Sequence, residues 1–406
     1  MRYLSLIISI AITINCSAQF KADNVKYKTV FPEELCKTLQ ENPGYVLLDV
    51  RSQGEFDDTL SSSPGLNIGH IKDALHINIQ ELSQRWKELL PYKDKPLFIY
   101  CSHSQRSRRA SRMLADSGFT KLFNVNGGLT DFYIEGNVNN PCSSYKIVSN
   151  LKYKIISPAQ LTEDTRKGKD YYILDVRSDS SFKGISTSAE ARTFGRLDNA
   201  SNIPFEKLMS MNAFVFPDKP ILLVDEYGSE SAKAAAMLDA KGVKNISILI
   251  NGMEEWLDYV LENGVKQPIK WTQKISFNLI TGKAFDKLMA DKKDITLIDV
   301  RDTDEFNNQS KNYWQNIGNI QGAVNIPFGS LTNSDKLPKE KNRPIIVYGF
   351  NNGDAIYKAA EELLREGYSN VSVLRGGIWN LRWSSHNIKD KGQLNKWVVN
   401  VPEENL

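Results

Sequence analysis

Tyr45-Val46-Leu47-Leu48-Asp49-Val50-Arg51 is an apolar run closed by Asp-Val-Arg, and the chain repeats it. It returns as Tyr172-Ile173-Leu174-Asp175-Val176-Arg177 and as Thr296-Leu297-Ile298-Asp299-Val300-Arg301, at a period of 124 to 126 residues. Two further markers keep that order and period. One is Gly127-Gly128-Leu129, Asn251-Gly252-Met253 and Gly376-Gly377-Ile378. The other is Ala74-Leu75-His76-Ile77-Asn78-Ile79, Ala200-Ser201-Asn202-Ile203-Pro204 and Ala323-Val324-Asn325-Ile326-Pro327. A repeat this long is a whole domain rather than a solenoid unit.

Each copy carries the same alternation. A helix such as Ser157–Arg166 or Thr281–Ala290 comes first, then the strand ending in Asp-Val-Arg, a polar excursion and a short strand entering Asn-Ile. In copy one a helix over Ile79–Leu90 follows. A second apolar strand comes next: Leu97–Tyr100, Ile221–Val224 or Ile345–Tyr348. The helix after it stops at Gly118, Gly242 or Gly367, where a glycine cap is expected. A last strand leads to the Gly-Gly turn and a closing helix bearing Phe132, Trp256 or Trp379. Near-continuous apolar strands alternating with helices predict a parallel sheet covered on both faces. The expected fold is α/β, with three tandem domains at 28–140, 151–264 and 275–385, linkers near 137–150 and 261–275, and a polar tail at 386–406 in which Trp397-Val398-Val399 docks on the third domain.

Bulk properties narrow the function classes. The 406 residues suit two to four domains. A net charge of +3 gives no bulk argument for nucleic acid or a membrane surface. Met1-Arg2, the apolar Leu4–Ile14 and Cys16-Ser17-Ala18 read as a signal peptide over 1–18, which predicts export to a periplasm or cell envelope. A lipid anchor on Cys16 is the less favoured alternative, because Asn15 stands where a small residue is preferred. The apolar run is too short to span a bilayer. Cys36, Cys101 and Cys142 then remain, an odd number that describes no disulfide scaffold. Cys36 sits in an amphipathic helix, where packing is its expected role. Cys142 is expected to be a surface thiol, with resolution of an oxidised Cys101 as the alternative.

The chemistry-bearing stretch is Tyr100-Cys101-Ser102-His103-Ser104-Gln105-Arg106-Ser107. Cys101 ends a buried strand, and the residues after it feed a helix N-terminus. Such a loop aims backbone N–H groups and the helix dipole at one spot, where an anionic sulfur is well held. The competing reading is a small buried hydrophobe. Arg106 is expected to bring a positive charge to the rim. His103 has two open roles, proton transfer or anion binding on one side and a solvent-facing loop residue on the other. Arg108, Arg109 and Arg112 read chiefly as a solvated helix face.

Asp49-Val50-Arg51, Glu55-Phe56, Gly69-His70-Ile71, Ala74, Cys101 to Ser107 and Gly127-Gly128 together resemble the rhodanese domain family. The third copy resembles it nearly as well, and the second more distantly. The resemblance implies a small α/β domain. It implies sulfur transfer too, because the spacing from Cys101 to Arg106 is Cys-x4-Arg, whereas related phosphatases and arsenate reductases have Cys-x5-Arg. The implied nucleophile is Cys101, with Ser102, His103, Ser104, Gln105 and Arg106 around the substrate. The implied partners are a small sulfur donor and a thiol or cyanide-like acceptor. The loop departs from the family at Ser104, where Gly is common, and in lacking an early basic residue, which argues against thiosulfate as donor. Asp49 and His70 match architectural positions.

In register with Cys101 stand Asp225 and Gly349. The loops Asp225-Glu226-Tyr227 and Gly349-Phe350-Asn351 offer no soft nucleophile, so copies two and three are expected to be catalytically silent, with shaping the entrance to the site, holding a protein partner or contributing only stability as their open roles. No P-loop, Cys-x2-Cys or histidine cluster implies a cofactor, metal or nucleic acid. The expectation is an exported sulfurtransferase with one working cysteine. The alternatives are a non-catalytic envelope protein of three recognition modules and a thiol redox protein pairing Cys101 with Cys142.

Overall fold

In the first repeat of the computed structural model the elements run β1 (Lys28–Val30), α1 (Pro32–Glu41), β2 (Val46–Asp49), α2 (Gln53–Phe56), β3 (His70–Ile71), β4 (Leu75–His76), α3 (Leu82–Arg85), β5 (Leu97–Tyr100), α4 (Gln105–Asp116), β6 (Leu122–Val125) and α5 (Gly128–Ile134), with β7 (Ile147–Val148) after them. The structure describes residues 27–134, 142, 145–264, 269–291, 294–332, 334–388 and 392–402. The segment 1–18 and Cys16 lie outside the described residues. Among the described residues no helix is long and apolar enough to cross a membrane.

The first sheet has the order β1-β6-β5-β2-β4, with every neighbouring pair parallel. The second repeats that pattern with Lys154–Ile156, Ile246–Leu249, Ile221–Val224, Tyr172–Asp175 and Ser201–Asn202. The third does so with Asn278–Ile280, Val371–Leu374, Ile345–Tyr348, Thr296–Asp299 and Val324–Asn325. All four residues of β5 are buried, as a central strand between two helical layers requires. Each domain has two apolar clusters, one on each face of its sheet; Leu48, Ile99 and Leu114 fill one in domain 1, and Phe98, Val125 and Phe132 the other.

Two local expectations shift. Each domain opens on a three-residue edge strand ahead of its first helix, too short to leave a periodic signal. The helix expected over Ile79–Leu90 is only α3 followed by a 3-10 helix over Trp86–Tyr92. Asn78 accepts from Gln80 N at 3.1 Å through its side chain and opens a turn, which delays the helix. Pro91 then limits its far end.

The described residues of the segments expected as linkers include straps. β7 turns back and pairs antiparallel with β3. Trp271–Thr272 does the same to Arg196–Leu197, and Val398–Val399 to Asn319–Ile320. This threefold device explains the glycine before each short strand. Gly69 has φ +73°, and a Cβ there would lie 2.5 Å from the Val148 carbonyl oxygen of the strap. The carbonyl of Gly69 is held by Arg51 Nη2 at 2.6 Å, and Arg51 is itself locked to Asp49 at 2.7 Å with neither side chain exposed. Asp175–Arg177 grips Gly195, and Asp299–Arg301 grips Gly318, in the same way.

The cysteine expectations need correction. Cys36 and Cys142 form a disulfide with Cα atoms 5.8 Å apart across a sequence separation of 106. Cys36 is therefore not a packing residue, and Cys142 is neither a free thiol nor a partner for Cys101. The bond holds Cys142 against α1, a contact that is invisible in a spacing count. Cys101 is the free cysteine among the described residues. Because the bond closes a long loop, its reduction is expected to cost about 2–4 kcal/mol. Denaturant unfolding with and without a phosphine reductant measures this; unchanged stability would contradict it.

The domains close head to tail. Ile250 of domain 2 packs into the cluster of Leu129, Phe132 and Tyr133 in domain 1. Arg375 of domain 3 is ion-paired with Asp258 and Glu254 of domain 2. Asn126 of domain 1 donates to His386 O of domain 3 at 2.7 Å. Asn126, Ile250 and Arg375 occupy one position of the repeat, just before the glycine turn. Beside these contacts stands Glu255, whose carboxyl is pushed up to about 8 by burial first, then by Asp258, Asp131 and Glu254. A raised folded-state pKa gives stability that is complete below the unfolded value, near 4.3, and lost as pH rises through 8. Glu255→Gln should thus stabilise the protein at pH 9 and not at pH 4. The side chain keeps some solvent contact, so the expected gain is about 1–2 kcal/mol. Thermal unfolding at the two pH values checks it.

Candidate active site

Cys101 follows directly on β5, and its position is fixed from three sides. Tyr100 Oη accepts the Ile71 N–H at 3.0 Å. The N–H groups of Leu129 and Thr130, in the first turn of α5, donate to the carbonyls of Cys101 at 2.8 Å and Ser102 at 3.0 Å. Gly128, with φ +63°, permits that approach; a Cβ would stand 2.5 Å from Cys101 O. The glycine turn of each repeat thus braces the loop that carries the chemistry.

The six residues singled out in sequence share one loop but not one role. Cys101 is buried, with 1% of its surface exposed. Its Sγ accepts from Ser104 N–H at 3.1 Å and lies 3.6 Å from Ser107 Oγ. Ser104 holds φ +125°, which no other non-glycine residue among the described residues approaches, and that twist aims its N–H at the sulfur. Ser104 Oγ is engaged with Gly127 N at 2.5 Å. Ser102 is buried and lies 2.9 Å from His103 Nδ1. His103 keeps an exposed edge, with its Nε2 3.4 Å from Thr130 Oγ1. Loss of hydration first, then repulsion from Arg106, pushes its imidazolium below the ordinary value, an effect that the exposed edge moderates. Gln105 opens α4 and is exposed.

Arg106, expected to bring a positive charge to the rim, is paired there. Its Nη1 and Nη2 donate to Glu55 Oε2 at 2.5 Å and Oε1 at 2.6 Å, and Nη2 reaches Ser102 Oγ at 2.7 Å. Glu55 also closes a capping box with Ser52 at the start of α2. Burial would raise the Glu55 carboxyl, but hydrogen bonds and charge from Arg106, with the Ser52 cap, outweigh it and leave the pKa below the ordinary value. Glu55 and Ser107 are the site residues that the sequence reading left without a role. Ser52 three residues before Glu55 did signal the cap; the partner 51 positions away left no signal.

The other two loops work as internal controls. In domain 2 the Asp225 carboxylate sits at the cysteine position. It accepts Gly228 N–H and Ser231 Oγ–H at Oδ1, 2.8 and 2.9 Å, and Glu230 N–H at Oδ2, 2.8 Å. Burial pushes the Asp225 carboxyl up, and these donors oppose the shift. The loop is therefore an anion cradle, filled in domain 2 by the chain itself. In register in domain 1 stand Ser104 N–H, which donates to Cys101 Sγ, Arg106 N–H, and Ser107, whose hydroxyl donates to Ser104 O at 2.9 Å. In domain 3 the loop is one residue longer, with its helix starting at Asp354. Ile356 replaces the serine, and its methyl would be 2.7 Å from any Cβ at Gly349. That site has no room for a side chain.

Among the described residues no group of three or more His, Cys, Asp or Glu side chains is placed to hold a metal ion. Comparison with known proteins agrees with the threefold fold. The rhodanese-like domain model matches residues 32–135, 157–259 and 281–382. The uncharacterized protein YqhL of Bacillus subtilis (strain 168) is 36% identical over 105 residues, covering 24% of this chain and 74% of its own. Thiosulfate sulfurtransferase GlpE of Pseudomonas syringae pv. syringae (strain B728a) is 30% identical over 103 residues, 25% of this chain and 84% of its own. A tRNA uridine(34) hydroxylase of Onion yellows phytoplasma (strain OY-M) is 25% identical over 169 residues, 39% of this chain and only 50% of its own.

Proposed function

This chain belongs to the rhodanese-like domain family, and on that premise we propose that it is a sulfurtransferase working through a persulfide on Cys101. Relatives that handle sulfur support the general class. The observation that carries the specific reading is the pair of matched loops. Where domain 2 holds an internal carboxylate on Gly228, Glu230 and Ser231, domain 1 turns the N–H equivalent to that of Gly228, on Ser104, to a cysteine sulfur.

The chemistry follows from that cradle. The Cys101 thiolate attacks the outer sulfur of a donor, the donor's S–X bond breaks, and the leaving group departs with the electron pair. The sulfur added to Cys101 falls where Asp225 Oδ2 lies in domain 2, within reach of the Arg106 N–H. Preorganised donors there hold the anionic terminal sulfur with no reorganisation cost. A thiol or other nucleophile then takes it and regenerates Cys101. Domains 2 and 3 are non-catalytic in this reading: one cradle is self-filled and the other blocked. Their surfaces remain available to a protein partner, and their contacts close the ring around domain 1.

We also propose that the protein works outside the reducing cytosol. The Cys36–Cys142 disulfide supports this, since such bonds persist in oxidising compartments. The test of function is transfer itself. Purified protein given a sulfane donor and a thiol acceptor should release persulfidated acceptor catalytically. A protein that binds donors or partners but never turns over would favour three recognition modules instead.

A further inference from the structure

We propose that Glu55 sets the donor class: by holding Arg106, it turns the site away from dianionic thiosulfate and toward low-charge organic persulfides, R–S–SH. This rests on the sulfurtransferase reading above. The geometry begins with Arg106, the one cation in the loop itself. Both its terminal nitrogens are committed to the two carboxylate oxygens of Glu55, and Glu55 is only 3% exposed. A second contact, to Ser102 Oγ, folds the guanidinium down over the loop. A bidentate pair of this kind is strong and geometrically fixed.

The other basic groups nearby do not replace it. Arg108 is turned away, with Nη2 on Asn126 Oδ1 at 3.2 Å and Asn387 Oδ1 at 3.1 Å in the seam to domain 3. His103 is held toward its neutral form. One acidic residue stands close instead: Asp131 follows Thr130, the residue His103 touches. A doubly negative donor meets a neutralised cation with a carboxylate-bearing residue beside it.

The ion pair also tracks the nucleophile across the repeats. Domain 2 has Ser181 in register with Glu55 and Glu230 in register with Arg106. Domain 3 keeps the acid as Glu305, but Ala355 replaces the arginine, and Glu305 bonds Gln315 at 2.6 Å instead. Only the domain with the cysteine has both partners.

The favoured step balances without a further reagent. The Cys101 thiolate attacks the outer sulfur of R–S–SH. The Cys101 S–S bond forms, the donor S–S bond breaks, and R–S⁻ leaves with the electron pair. The product is Cys101–S–SH, which keeps the donor's proton.

Single-turnover sulfur loading of the full-length protein, read by intact mass, tests this with two donors: inorganic thiosulfate and the persulfide of 2-mercaptoethanol. Glu55→Gln keeps the shape and the Ser52 cap but releases the charge of Arg106. The ratio of thiosulfate to persulfide rate should rise at least tenfold, and Arg106→Met added to it should cancel the rise. An unchanged ratio, or a rise that survives Arg106→Met, overturns the assignment. The wild-type protein gives an independent reading should Glu55→Gln fail to fold. Thiosulfate should give no saturable protection of Cys101 against iodoacetamide, and saturable protection would count against the proposal. Loading of the wild type by neither donor would sink the sulfurtransferase reading itself, a result distinct from failure of the Glu55 assignment.

Discussion

Cys101→Ser should lower sulfur loading and transfer by at least about a thousandfold, because the only soft nucleophile of the site is gone while the cradle remains. The substitution is nearly isosteric. Ser104 N–H keeps an acceptor in place of Sγ, and Ser107 Oγ a neighbour. Stability should therefore shift by no more than about 1 kcal/mol. The repeats strengthen that expectation, since the same scaffold stands with Asp225 and with Gly349 at this position. Steady-state transfer and thermal unfolding on the same preparation separate the two effects. Lost activity with an intact fold is the expected pair of results.

Arg51→Met should be among the most destabilising single changes in domain 1. Arg51 and Asp49 are both fully buried and joined through Nε and Nη2. Removing the guanidinium leaves an unpaired carboxylate under the sheet and frees the Gly69 carbonyl that anchors the strap. Breaking such a pair costs about 3–5 kcal/mol, whereas replacing both partners by apolar residues costs much less. Asp49→Leu combined with Arg51→Met should thus recover part of the loss. Hydrogen exchange at the β5 amides reads domain 1 separately from its neighbours, which a global melt of a three-domain chain does not. Equal exchange in the single and double variants would contradict the account.

The strands, the main helices and the triplication were legible in sequence because they rest on local patterns. Apolar runs such as Leu97–Tyr100 and glycine stops such as Gly118 depend on neighbours within a few positions. What escaped depends on distant chain returning. The strap strand Ile147–Val148 is two residues long and carries no periodicity. The Cys36–Cys142 bond joins a helix to a segment 106 positions on, and pairing of cysteines is not written in their count. The site divides in the same way. Cys101 and its loop were found from spacing, and Asp225 and Gly349 from register. That Asp225 occupies an anion cradle, that Ile356 blocks its counterpart, and that Arg106 is claimed by Glu55 all required side chains brought together from separate segments.

The central claim is that Cys101 carries the transferred sulfur. Its most direct test is peptide mass mapping of the wild-type protein after exposure to a panel of sulfane donors. The expected result is a gain of one sulfur atom on the peptide holding Cys101, removed again by a thiol acceptor, with the Cys36–Cys142 disulfide unaltered. No gain on Cys101 with any donor, or sulfur that remains after the acceptor is added, would contradict it.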